Sequence, residues 1–266
     1  TILDEGTLVV TGETTSGAKL RVLGAAGDAN KTVVLGSASA NPFGTGEWDI
    51  EQDVTFQTLD ATPRTIATPV RLDVGNTAGT RTVFSGPGDM TFDGNWYFQY
   101  RDRTFDVQGV TVTMNGFVEQ TGATFTKTGD GTLALDGNAK IRNITVDGGT
   151  LAVNSELYAP ISMVVSPGGT LAGTGSVRTY LNNNTTVAGG TLAPGSSVGT
   201  LTVQGNFRVD ANSLLAWDLD SPGTSDLLSL QTNDQGNGGT LNVDGNAWFQ
   251  FADAGGLAAG TYALSE

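Results

Sequence analysis

Asp218 and Asp220 flank Leu219 directly after Trp217. On a strand both carboxylates point the same way, about 7 Å apart. Two carboxylates at that separation are the equipment of a glycosidase, one acting as general acid and the other as base or nucleophile. Plain alternation of polar and apolar residues gives the same pattern, and nothing nearby marks a cleft, so a solvated face is the expectation. Asp49, Glu51 and Asp53 also share a parity and would offer Ca²⁺ a set of oxygen ligands. The Gly-Gly-x-Gly-x-Asp pattern of calcium-binding β-rolls does not occur, so an acidic outer face is expected here too. Trp96, Phe98 and Tyr100 form an aromatic row. Exposed, it would stack on sugar rings as a glycan contact; turned inwards, it is core, which is the expectation. Trp248 and Phe251 stay open between core and closure of one end. Arg142 stands without the acidic set or the histidine that polysaccharide cleavage on a similar scaffold would need, and a shared fold alone carries no function.

The wider composition narrows the chemistry further. The 266 residues include no His and no Cys. Ser-His-Asp and Cys-His triads, thiolate metal sites and disulfides are therefore impossible within the chain. No catalytic residue, cofactor or metal is expected. The formal net charge of −14 disfavours phosphate backbones and anionic lipid. Nucleic acid is thus not an expected partner. There is no apolar run near 18 residues to span a bilayer as a helix, and no signal peptide is expected in the sequence. The chain opens on Thr1-Ile2-Leu3, as a processed or excised fragment would.

The elements that would position any of these residues are short strands between glycine corners. Gly148-Gly149-Thr150-Leu151-Ala152-Val153 returns as Gly168-Gly169-Thr170-Leu171-Ala172, Gly189-Gly190-Thr191-Leu192-Ala193 and Gly238-Gly239-Thr240-Leu241-Asn242-Val243. A shorter copy is Gly131-Thr132-Leu133-Ala134-Leu135. Gly-Gly turns the chain, and Thr-Leu-x-Val then alternates outward and inward. Repetition about every 20 residues predicts one coil of a parallel β-solenoid per unit. Leu133, Leu151, Leu171, Leu192 and Leu241 are the expected stacked core positions. Asn-Gly and Asp-Gly pairs such as Asp93-Gly94-Asn95 and Asn115-Gly116 fit either hairpins or solenoid corners. One solenoid domain over 1–266 is expected, most regular over 125–203 and richer in aromatics over 204–266.

The run Phe125-Thr126-Lys127-Thr128-Gly129-Asp130-Gly131-Thr132-Leu133-Ala134-Leu135-Asp136-Gly137-Asn138, with Val146-Asp147-Gly148-Gly149-Thr150-Leu151 after it, resembles the autotransporter-associated β-strand repeat. Gly190 to Gly205 resembles the closing segment of that family, and Ser225-Asp226-Leu227-Leu228 fits the stretch that often comes after that segment. The resemblance implies a right-handed parallel β-helix at or beyond the bacterial cell surface. Adhesins, surface fibres and spacer stalks use such repeats, and a non-enzymatic structural role is the expectation. Open solenoid ends expose unpaired backbone groups. Thr1, Ile2 and Leu3 at one end and Tyr262 and Leu264 at the other are the expected assembly residues for head-to-tail self-association. The alternative is a protein that binds or cleaves surface polysaccharide.

Overall fold

The computed structural model describes residues 1–266 apart from 13–16, 18, 24–30, 73–79, 99–100 and 181–183, with the backbone alone at 80 and 121–123. Tyr100 lies outside the described residues. The chain falls into two compact units, Thr1–Lys140 and Ile141–Glu266. Among the described residues there is no helix, and the ladders between strands are parallel. Both units are β-solenoids.

The first unit stacks its strands in three columns. One runs Ile2–Leu3, Arg21–Val22, Trp48–Ile50, Val70–Leu72, Trp96–Phe98 and on to the start of Val118–Thr128. The second runs Thr7–Val10, Thr32–Leu35, Val54–Thr58, Thr80–Ser85, Arg103–Val107 and the end of Val118–Thr128. The third runs Arg64–Ile66, Met90–Phe92, Thr111–Met114 and Thr132–Leu135. The Asp-Gly and Asn-Gly pairs are corners between columns, not hairpins. Asn115 Nδ2 donates to Asp93 at 2.7 Å, and the Phe117 N–H donates to the Asn95 side chain at 2.9 Å. Each corner is therefore tied to the corresponding corner of the preceding coil, and side chains supply the bonds that a bend takes from the backbone.

Alternation along each strand sends one parity inwards, as in the buried–intermediate–buried pattern of Trp96–Phe98. What fills the first unit is aromatic. Phe56 stacks on Phe84 at 5.9 Å, Phe84 meets Phe105 edge-on at 5.2 Å, and Trp96 meets Phe92 at 4.9 Å and Phe105 at 5.4 Å. Phe98 lies nearly parallel to Phe125 at 6.0 Å. Side chains of this size contribute about 1.5–3 kcal/mol each through burial, with a further increment from edge-to-face geometry.

The repeat around Lys127 has a physical explanation in this unit. Lys127 is fully buried, and its Nζ donates to the carbonyl oxygens of Thr128 and Gly129 at 2.8 and 3.0 Å. The ammonium thus caps the carbonyls of the corner that follows it. Gly129 has φ +76°, and a Cβ there would lie 2.2 Å from the Val107 carbonyl oxygen, so only glycine fits. Burial pushes the Lys127 ammonium down to about 8 from its ordinary 10.5, with Asp106 and Asp130 pulling the other way. The unfolded chain therefore holds more protons than the folded one between pH 8 and 10.5, and stability rises with pH across that window. The expected gain is on the order of 1–2 kcal/mol after allowance for solvent screening. Urea midpoints at pH 7.5, 9 and 10 test this: a rise is expected in the wild type and a flat profile in Lys127→Met.

The second unit repeats the three-column plan with an aliphatic filling. Its columns are Glu156–Tyr158, Ser176–Arg178, Thr200–Gln204 and Leu227–Gln231; the end of Ala139–Val146, then Ser162–Val165, Asn184–Val187, Asn206–Val209 and Thr240–Val243; and Gly149–Val153, Gly169–Gly173, Thr191–Pro194, Leu214–Leu219 and Trp248–Asp253. Leu151 pairs with Leu171, Leu171 with Leu192 and Leu192 with Leu215, all of them at most 2% exposed. Leu133, in the first unit, is equally buried and lies opposite Val112.

Leu241 departs from the expected column. It pairs with Phe207 in a different column and is 38% exposed. The Gly-Gly-Thr-Leu motif specifies a corner followed by a strand, and either can occur on any face of the coil. Coil length departs too. Paired residues are about 22 apart in many coils, as from Trp96 to Val118, rather than 20, and Asn206 pairs with the much later Thr240. Corners of different length absorb the difference while the strands stay in register.

Candidate functional site

The residues singled out for chemistry mostly turn out to be structural. Trp96 and Phe98 are 0% and 1% exposed inside the aromatic core, so neither reaches a glycan. Asp49 pairs with Lys19 at 3.1 Å and lies 3.5 Å from Arg21, while Glu51 pairs with Arg21 at 2.9 Å. Asp53 accepts the Arg81 backbone N–H at 2.6 Å. These acids are used by bases and backbone from neighbouring coils, and among the described residues no cluster of acidic side chains could hold a metal ion. Arg142 is exposed on the outside of its strand.

Asp218 and Asp220 do not form a matched pair. Asp218 lies on the Leu214–Leu219 strand, half-exposed. Asp220 lies past its end, where its N–H donates to the Thr224 carbonyl at 3.0 Å and closes a turn. The carboxylate that organises this region is Asp226, which the motif places only in the stretch after a closing segment. Asp226 is 2% exposed and accepts the N–H of Gly199 at 2.9 Å and that of Asp218 at 2.7 Å. Burial raises its carboxyl above the usual range, against the pull of those two backbone donors. Both oxygens are committed to backbone, so Asp226 is a brace between the 195–199 loop and the adjacent strand.

The expected assembly ends are placed differently from one another. Ile2 is 63% exposed on the Ile2–Leu3 strand, whereas Leu3 is buried, and the Thr1 ammonium donates to the Lys19 carbonyl. Tyr262 and Leu264 do not form a free strand. The Leu264 carbonyl accepts the Leu228 N–H at 3.0 Å and Trp217 Nε1 at 3.2 Å, and the Tyr262 hydroxyl donates to the Ala258 carbonyl at 2.8 Å. This segment covers the edge of Leu227–Gln231 instead of offering one. Among the described residues, the open edges at this end belong to Thr240–Val243 and Trp248–Asp253. Leu241 and Val243 continue the column of buried Phe207 and Val209, while Phe249 and Phe251 continue that of Leu215 and Trp217. Their parity is inward, yet they are 38%, 45%, 54% and 52% exposed. The apolar column of the second unit therefore ends on uncovered side chains beside unpaired strand backbone.

Comparison with known proteins adds one relationship. The chain is 34% identical over 119 residues to an extracellular serine protease of Serratia marcescens, a match covering 44% of this chain and 11% of that protein. No family model matches the chain, and no solved structure matches it. The solenoid fold and the likeness to part of an extracellular protein are consistent with a secreted β-helix protein. The absence of His means that this chain cannot assemble a Ser-His-Asp triad from its own residues.

Proposed function

We propose that the protein is a non-enzymatic structural component outside the bacterial cell, a subunit of a surface fibre or adhesive stalk. The observation that carries this reading is the uncovered inward row Leu241, Val243, Phe249 and Phe251, next to strand edges that lack a neighbour among the described residues. The occupant that satisfies both the apolar row and the backbone edge is another parallel rung. The first rung of a second copy, whose inward residues Leu3, Leu8 and Val10 head the columns of Val22, Val33 and Leu35, supplies one. Such a contact is heterologous, and where it does not close into a ring it propagates.

Sedimentation velocity over a concentration series tests the reading. The wild-type chain is expected to grow from its 27.4 kDa unit into a ladder of multiples. A charge placed in the apolar row, Phe249→Asp, is expected to leave single copies. Single copies of the wild type at every concentration, or assembly undiminished in Phe249→Asp, would overturn it.

A further inference from the structure

We infer that the outer face of the second unit carries a binding groove for a neutral, hydroxyl-rich polysaccharide, centred on Ala216 and flanked by Trp248. This goes beyond the assembly reading and uses the opposite face of the same strands. Across Thr191–Pro194, Leu214–Leu219 and Trp248–Asp253 the outward parity is Thr191 and Ala193, then Leu214, Ala216 and Asp218, then Trp248, Gln250 and Ala252. A groove of about 300 Å³ lies on this face. Ala193, Ala216 and Ala252 line it with methyl groups only, so a flat ring can approach the sheet closely. Asp218, Gln250 and Ser196 line it with a carboxylate, an amide and a hydroxyl. Together these accept from and donate to sugar hydroxyls, which require both.

Trp248 lies two residues before Gln250 on the same outward parity, about 7 Å along the strand. The chain has four tryptophans; Trp48, Trp96 and Trp217 are buried, whereas Trp248 is 66% exposed. An exposed indole beside an alanine floor and hydroxyl-binding groups is the arrangement that stacks on a sugar ring and reads its edge. Charge selects among polysaccharides. Asp218 in the groove and a chain charge of −14 repel uronate and sulfate chains. The second carboxylate in the wall, Asp226, is committed to two backbone N–H groups and does not serve a cationic ligand.

Trp217 also lines the groove but is only 4% exposed, and Trp48 and Trp96 are buried, so iodide quenching of fluorescence reports on Trp248. The test titrates cellohexaose, xylohexaose and mannohexaose into the chain, with polygalacturonate and oligolysine as charged controls. At least one neutral oligosaccharide is expected to shift emission to the blue and protect Trp248 from iodide. Ala216→Arg and, separately, Ala193→Arg fill the groove from the outer face and keep the reporter. Each is expected to weaken that protection about tenfold or more, while sedimentation stays as in the wild type. The inference is overturned if no neutral oligosaccharide protects Trp248, if protection survives both arginine variants, or if either charged polymer protects as well. It is overturned equally if Trp248 becomes protected with rising protein concentration alone and Ala216→Arg abolishes that, which would make a second copy the occupant.

Discussion

Replacing Trp96 by alanine is expected to destabilise the first unit by about 3–5 kcal/mol, the range for removing a large aromatic from a packed core. Trp96 is fully buried and touches Phe84, Phe92, Phe98 and Phe105, with ring centres 4.9 to 6.2 Å away. Those four partners lie on four strands spread over all three columns, so no single strand can move to fill the void. The cost therefore includes lost contacts as well as lost transfer energy. A surface position for glycan stacking would behave oppositely and lose little on truncation. Urea denaturation followed by circular dichroism decides between the two. A loss under about 1 kcal/mol would place Trp96 outside the core.

The second large effect separates two copies of one motif. Leu171→Ala is expected to cost about 2–5 kcal/mol and Leu241→Ala about 1 kcal/mol or less. Leu171 is 0% exposed and paired on both sides, by Leu151 and Leu192. Among the described residues Leu241, 38% exposed, is paired on one side only, by Phe207. Hydrogen exchange of the Gly169–Gly173 and Thr240–Val243 strands, read beside the urea midpoints, checks that each loss is local. Equal costs at the two positions would mean that the row ending at Leu241 is as well covered as the interior.

These two comparisons mark how far the sequence could be read. The Leu151, Leu171 and Leu192 column was legible because the motif copies recur at nearly equal spacing, and equal spacing on a coil means the same face. Leu241 falls outside that column because the corner-and-strand motif carries no information about which of three faces it occupies. Alternation showed that Trp96 and Phe98 share a side but leaves open which side is inside, since that is decided by Phe84, Phe92 and Phe105 from other strands. The partners of Asp49 and Glu51, Lys19 and Arg21, lie in the preceding coil, too far away in sequence for any local pattern to join them. The groove around Ala216 draws on three strands, and only their register brings Ala193 and Gln250 to its two sides. A usable signal did exist at Trp248: its parity is opposite to that of Phe249 and Phe251, so the three aromatics could not all face one way.

Thr240 follows Asn206 in the column although the intervening chain is longer than in neighbouring coils, and the pairing from Asn206 to Val209 runs on without a slip. Excess length leaves the solenoid wall sideways at a corner and rejoins it in phase. The stretch between Gln231 and Gly239 is such an excursion, pinned at its base by Asn233, whose side chain accepts the N–H groups of Gln235 and Asn237. A foreign peptide spliced in at Gln235 would ride outside the wall and leave the rungs untouched, which makes this coil a natural platform for display.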